Sequence, residues 1–137
     1  MTGPESRHLA QHVGRAPDVV HRFVRDPRNL PRWAAGLAGA VEAADDGWWR
    51  CESPMGPVRV RFAPDNDLGV LDHTVVLPDG TATLNPLRVL PHGDGAEVVF
   101  TLRRAPGQDD EASRADEAAV RADLARLARL LEADEVG

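Results

Sequence analysis

The last segment constrains the fold most. Across residues 109–133, Val120, Leu124, Leu127 and Leu131 recur at intervals of four, three and four, which lays one apolar stripe along a long helix. Asp109, Asp110 and Glu111 crowd its start, while Arg126 and Arg129 lie late, so both ends complement the helix dipole. Glu117 and Arg121 form a favourable i,i+4 pair on the solvent side. A single stripe has to be buried against something, and the residues before it supply a sheet.

Residues 6–14 read as a first strand, and Ala16-Pro17-Asp18 then starts a helix over 17–25, with Val19, Val20, Phe23 and Val24 on one side. Asp26-Pro27 breaks it, and a second short helix follows in residues 28–33. The pattern then changes to period two. Strands are expected over 38–44, 48–53, 58–62, 69–77, 81–90 and 97–104, separated by turn signals such as Asp45-Asp46-Gly47 and Pro78-Asp79-Gly80. Turns this short join antiparallel neighbours, because parallel ones need long crossovers. Pro86 inside the sixth strand lacks a ladder donor and marks a bulge or an edge. The pattern predicts an α+β chain of one domain, 1–137, with about seven antiparallel strands, two short helices after the first strand and one long terminal helix.

Composition narrows the function classes. The 137 residues carry a net charge of −6 and contain no Lys, which argues against a phosphate-neutralising surface, so no nucleic-acid partner is expected. The abundance of Arg and Ala points to a GC-rich bacterial genome. A single cysteine, Cys51, leaves no internal disulfide and no cysteine-based zinc site. Among the five histidines, His8 and His12 lie about 13 Å apart along a strand, too far to share an ion. No metal and no cofactor are expected. No apolar run approaches the roughly 18 residues of a membrane span, and residues 1–9 show no apolar leader core, so a cytoplasmic location without membrane insertion is expected.

The stretch Ala16-Pro17-Asp18-Val19-Val20, followed by Asp26-Pro27-Arg28-Asn29-Leu30-Pro31-Arg32-Trp33, resembles the opening signature of the SRPBCC (START-like) superfamily, A-P-x-x-V and then D-P-x-N-L-P-x-W. The order of elements matches that superfamily along essentially the whole chain. The resemblance implies a helix-grip fold, in which a curved antiparallel sheet wraps around the terminal helix and a cavity forms between them. Its members include polyketide cyclases and dehydratases, lipid-transfer domains, quinone-binding proteins and a co-chaperone branch. They share no one catalytic set, so no catalytic motif carries over.

The candidate site comes from which residues alternation turns inward. His73 shares a face with Leu71, Val75 and Leu77, and is either a general acid or base or a core histidine bonded to a neighbour. Asp72 points the other way, which excludes a direct dyad. Trp33 is a pocket wall or a plug tying the short helices to the sheet. Trp49 and Cys51 face inward, leaving Trp48, Arg50 and Glu52 outside; Cys51 reads as a small buried hydrophobe. Asn85 beside Pro86 orients a ligand or satisfies backbone groups freed by the bulge. Phe100 and Leu124 complete the expected lining, and Arg61 faces solvent. His12 and Arg88 are further polar candidates.

These residues point first to binding of a small, mostly apolar molecule, polyketide-like or lipid-like, between sheet and helix. Alanines on the helix (Ala115, Ala118, Ala119, Ala122, Ala125 and Ala128) would leave volume if they faced the sheet, or would simply allow closer packing. A cyclase or dehydratase using His73, with Asn85, is the second reading, and a protein-binding module the third.

Overall fold

The computed structural model describes residues 5–37 and 39–133. Among them, β1 (Ser6–Val13) leads into α1 (Pro17–Val24), then a 3-10 turn at Pro27–Asn29 and the single turn α2 (Leu30–Trp33). Pro17 opens α1 at a position whose N–H has no helical partner anyway. Asp26 accepts from the amide of Arg28 and grips its guanidinium with both oxygens, at 2.9 and 2.8 Å, which fixes the break between the helices. That guanidinium holds the Asp26 carboxyl below the usual carboxylate range.

The strands follow in chain order: β2 (Val41–Ala43), β3 (Trp49–Ser53), β4 (Gly56–Phe62), β5 (His73–Val76), β6 (Ala82–Asn85), β7 (Leu87–His92) and β8 (Gly95–Arg103). All pairs are antiparallel, in two sheets ordered β1-β8-β7 and β2-β3-β4-β5-β6. Two departures from the sequence pattern share one cause. The expected strand 81–90 is divided at Pro86 into β6 and β7, so there are eight strands among the described residues. The expected strand 69–77 is regular only from His73, with a lone bridge from Val70 to Arg88 before it. A proline cannot donate to a ladder, and the sheet parts where Pro86 falls. The expected strand 38–44 shrinks to Val41–Ala43; Ala38 lies outside the described residues.

Asp72 repairs the break. Its Oδ1 accepts from the Leu87 amide at 2.9 Å and from Arg88 Nε at 2.9 Å, and its Oδ2 accepts from Arg88 Nη2 at 2.9 Å. A side chain therefore replaces the missing ladder acceptor, and the bond to Arg88 holds its carboxyl below the ordinary carboxylate range. Next to it, Gly69 has φ +72°, and a Cβ there would lie 2.2 Å from the Val89 carbonyl oxygen; only glycine lets the two backbones approach so closely.

The terminal helix α3 (Asp110–Glu132) is capped by Asp109, whose carboxylate accepts from the Ala112 amide at 2.8 Å. Leu124, Leu127, Ala128 and Leu131 are its buried residues, close to the expected stripe, and each leucine buried this way contributes roughly 1.5–3 kcal/mol. They join Leu9 and Val13 of β1, Val98 of β8 and the apolar side of α1 in one core. Ion pairs and hydrogen bonds pin α3 along β1 at both ends. Arg104 meets Asp110 at 2.8 Å and Arg7 meets Glu117 at 3.3 Å near its start; the Gly14 amide donates to Glu132 at 2.8 Å near its finish. The alanines do not act as small residues against the sheet. Ala115, Ala118, Ala119 and Ala122 are exposed, Ala125 is half-buried, and only Ala128 is buried. Helix α3 is seated through its second half. Among the described residues, no helix is long and apolar enough to cross a membrane.

Candidate functional site

The register of the five-stranded sheet sets out its inner face in rows. Trp49 pairs with Val60, Val60 with Val75 and Val75 with Thr83; in the next row Phe62 pairs with His73 and His73 with Asn85. Burial falls off across this face. Val60 and Cys51 are fully enclosed, Trp49, Phe62, Val75 and Leu77 are half-buried, and Thr83 is exposed. On the β1-β8-β7 side the equivalent positions Leu9, Val13, Val89 and Val98 are sealed. The inner face is thus closed under α3 and open towards β5 and β6.

His73 sits at the transition, 8% exposed. Its ring lies 4.8 Å from that of Phe62, tilted by 30°, and 6.3 Å from that of Phe100, edge-on. Nδ1 is 3.1 Å from the Leu71 carbonyl oxygen. A carbonyl only accepts, so that geometry assigns the proton to Nδ1 and leaves Nε2 as an acceptor with no hydrogen-bond partner among the described residues. Burial lowers the pKa of the imidazole, outweighing the Leu71 carbonyl and the Asp72 charge, which act the other way. The ring is neutral at neutral pH, with one lone pair available. Asp72 is turned to the outer face and held by Arg88, as alternation requires.

Asn85, directly across from His73, is half-buried, and its side chain makes no hydrogen bond among the described residues. Trp33 is 4% exposed, and its indole N–H is fully enclosed with no acceptor among the described residues. An unmet buried donor costs about 1–3 kcal/mol. Its backbone is fixed from α3: Arg126 Nη1 donates to the Trp33 carbonyl at 2.8 Å and to Asp123 Oδ1 at 3.0 Å, and Asp123 in turn accepts from the Ala35 amide at 3.2 Å.

The structure brings His73, Asn85 and Phe100 together, with Phe62 as a neighbour that sequence reasoning left out; its place at the end of the alternating run Val58-Val60-Phe62 was the signal. Cys51 stands apart: its row contains Val58, four residues along β4 from the row of His73, or about 13 Å. Burial pushes its thiol pKa up, so it is an inert core group. Leu124 is core on α3. Two further candidates are corrected. His12 and Arg88 are exposed on the outer face, because alternation in β1 and β7 gives the inner face to Leu9, Val13, Leu87 and Val89. Arg61 is outside as expected, and with Arg59 it covers the ring of Trp48 at 4.7 and 4.9 Å.

A groove of about 500 Å³ lies elsewhere, between α1 and the loop before β5, lined by residues that include His21, Arg25, Asp65, Leu68 and Val89. None of the seven expected lining residues borders it. Among the described residues, no three His, Cys, Asp or Glu side chains converge as metal ligands.

This arrangement, with antiparallel strands, an α1–α2 corner and a long terminal helix on the inner face, is a helix-grip fold. Solved structures share it. The di-domain ARO/CYC protein BexL from the BE-7585A biosynthetic pathway superposes with a TM-score of 0.74 at 20% identity over 93% of this chain and 46% of its own. DynU16, from the dynemicin biosynthetic locus, gives 0.72 at 17% identity over 95% and 48%. Ara h 8.0201 gives 0.69 at 11% identity over 93% and 97%. The chain therefore spans about half of BexL and DynU16 and nearly all of Ara h 8.0201. No protein-family model matches the sequence, and no curated protein matches it.

Proposed function

We propose that the open part of the inner face, over β3 to β6, binds a small and mostly apolar molecule. One observation carries this reading: a half-buried apolar surface of Trp49, Phe62, Val75 and Leu77 is bordered by the unpaired His73 Nε2 and Asn85 amide. Apolar walls with a few unmet polar groups suit a ligand that buries rings or chains and presents an acceptor or hydroxyl. The likeness to a biosynthetic ARO/CYC protein agrees with a polyketide-like ligand. Titration with the fluorescent probe 1-anilinonaphthalene-8-sulfonate tests the location. Val75→Arg should abolish its binding and Leu68→Arg, in the α1 groove, should leave it intact; the reverse result refutes the reading.

A second reading adds turnover. The fixed tautomer of His73 leaves Nε2 unprotonated, as a general base for cyclisation or dehydration of a bound chain requires. With a substrate in hand, His73→Gln should lower kcat by about 10²–10⁴-fold. Unchanged turnover removes His73 from the chemistry and leaves the binding reading standing.

A further inference from the structure

The outer face of the three-stranded sheet holds a pair of histidines that lie 80 residues apart in sequence. His12 on β1 and His92 at the end of β7 are both exposed, and their Nδ1 atoms are 3.3 Å apart, with ring centroids at 5.4 Å and planes at 70°. They converge because β8 brings both strands to its start, where His12 pairs with Glu97 and His92 with Gly95. Gly95 makes the room: a Cβ there would come within 3.3 Å of His12 Cε1 and 2.5 Å of the Val13 carbonyl oxygen.

We propose that His12 and His92 chelate a zinc ion on this outer face, a site separate from the inner-face ligand surface. Zinc binds imidazole nitrogen at about 2.0–2.1 Å in a tetrahedral arrangement, and the edge of such a tetrahedron is about 3.3–3.4 Å. The observed separation equals that edge, and exceeds the roughly 2.9 Å between adjacent ligands of a square-planar ion. The two Nδ1 atoms therefore already stand at the spacing that zinc requires. Without the ion, one Nδ1–H donates to the other Nδ1. On binding, that proton moves to Nε2 of its own ring, so both neutral rings present Nδ1 to the metal and no proton is lost overall. Two coordination positions stay open to water, since among the described residues no third ligand joins the pair. His8, four residues from His12 on β1, does not join the pair; it is bonded through Nδ1 to Thr101 Oγ1 at 2.9 Å.

Equilibrium dialysis of tag-free protein against zinc chloride, with the metal counted by atomic emission, tests the site. One zinc per chain is expected. His12→Gln and His92→Gln should each weaken retention at least about ten-fold, since removing even an outer-shell partner of a metal ligand costs that much. His8→Gln should retain zinc as the unaltered chain does. Both substituted side chains are exposed, and a circular dichroism spectrum identical to that of the parent confirms that each variant is folded. Zinc retention no greater in the parent than in the His12→Gln/His92→Gln double variant overturns the proposal.

Discussion

Acid should weaken this fold through His73 at a pH where Asp26 and Asp72 are still ionised. The buried imidazole has a pKa below its ordinary 6.5, with burial as the main cause. Below pH 6.5 the unfolded chain takes up a proton that the folded chain resists. Stability therefore rises with pH across this window and is lost as the pH falls. If the native ring stays neutral throughout, the contribution is RT ln(1 + 10^(6.5 − pH)). That amounts to less than about 0.1 kcal/mol at pH 7.5 and to about 2 kcal/mol at pH 5.0. Asp26 and Asp72 have native values below 3.8, so their contributions disappear only in stronger acid, outside this range. His73→Phe keeps a ring between Phe62 and Phe100 and removes the titrating group. It also removes the bond to Leu71, a loss common to every pH above the native pKa. Urea unfolding of parent and variant at both pH values isolates the effect, because the other histidines cancel in the difference. The stability of the parent relative to the variant should fall by up to about 2 kcal/mol between pH 7.5 and 5.0, or roughly 1 M in midpoint at an m-value near 2 kcal/mol/M. A difference that stays flat, or grows in acid, refutes the neutral buried imidazole and with it the base proposed for Nε2.

Other residues give sharper single-site expectations. Asp72→Ala strands the Leu87 amide and should cost about 1–3 kcal/mol in urea unfolding. Arg88→Ala keeps that amide bonded and should cost no more than about 1 kcal/mol; equal losses would show that the ion pair, not the backbone bond, matters. Gly69→Ala combines a left-handed φ with backbone overlap at Val89 and should lower stability by more than about 2 kcal/mol, seen as a clear drop in Tm. Asp109→Ala removes the cap of α3 and should cost about 1 kcal/mol, with Asp109→Asn recovering most of it.

Local signals made most of the fold legible. The stripe of α3, Pro17 at the start of α1 and the Asp-Gly turns each act over a few residues, and α1 and α3 formed within a residue of their expected bounds. What escaped depends on contacts between distant segments. Pro86 announced a discontinuity, but nothing in residues 69–72 announced that Asp72 would accept from the Leu87 amide, because that bond crosses from the residue before β5 to β7. Alternation fixed the face of His73, while Asn85 was marked by its place beside Pro86; alternation should also have excluded His12 and Arg88, whose neighbours Leu9, Val13, Leu87 and Val89 occupy the inner parity. The helix alanines misled for a different reason. Small residues can face a sheet or solvent at equal cost, so composition alone did not decide it, and only Ala128 is buried.

The anchoring of α3 bears on how a ligand would reach the proposed surface. A helix pinned at both ends, by Arg104–Asp110 and Arg7–Glu117 at one and by Gly14–Glu132 at the other, resists lifting from β1 as a unit. A ligand for the half of the inner face packed under α3, from Leu9 to Val98, would need such lifting. The open half needs none, because Trp49, Val75 and Thr83 already meet solvent while α3 stays seated. Binding there should then proceed without a slow conformational step, with an observed association rate that rises linearly with ligand concentration. A rate that instead saturates would locate the ligand beneath α3, in the sealed core, and would move Leu124 from scaffold to pocket wall.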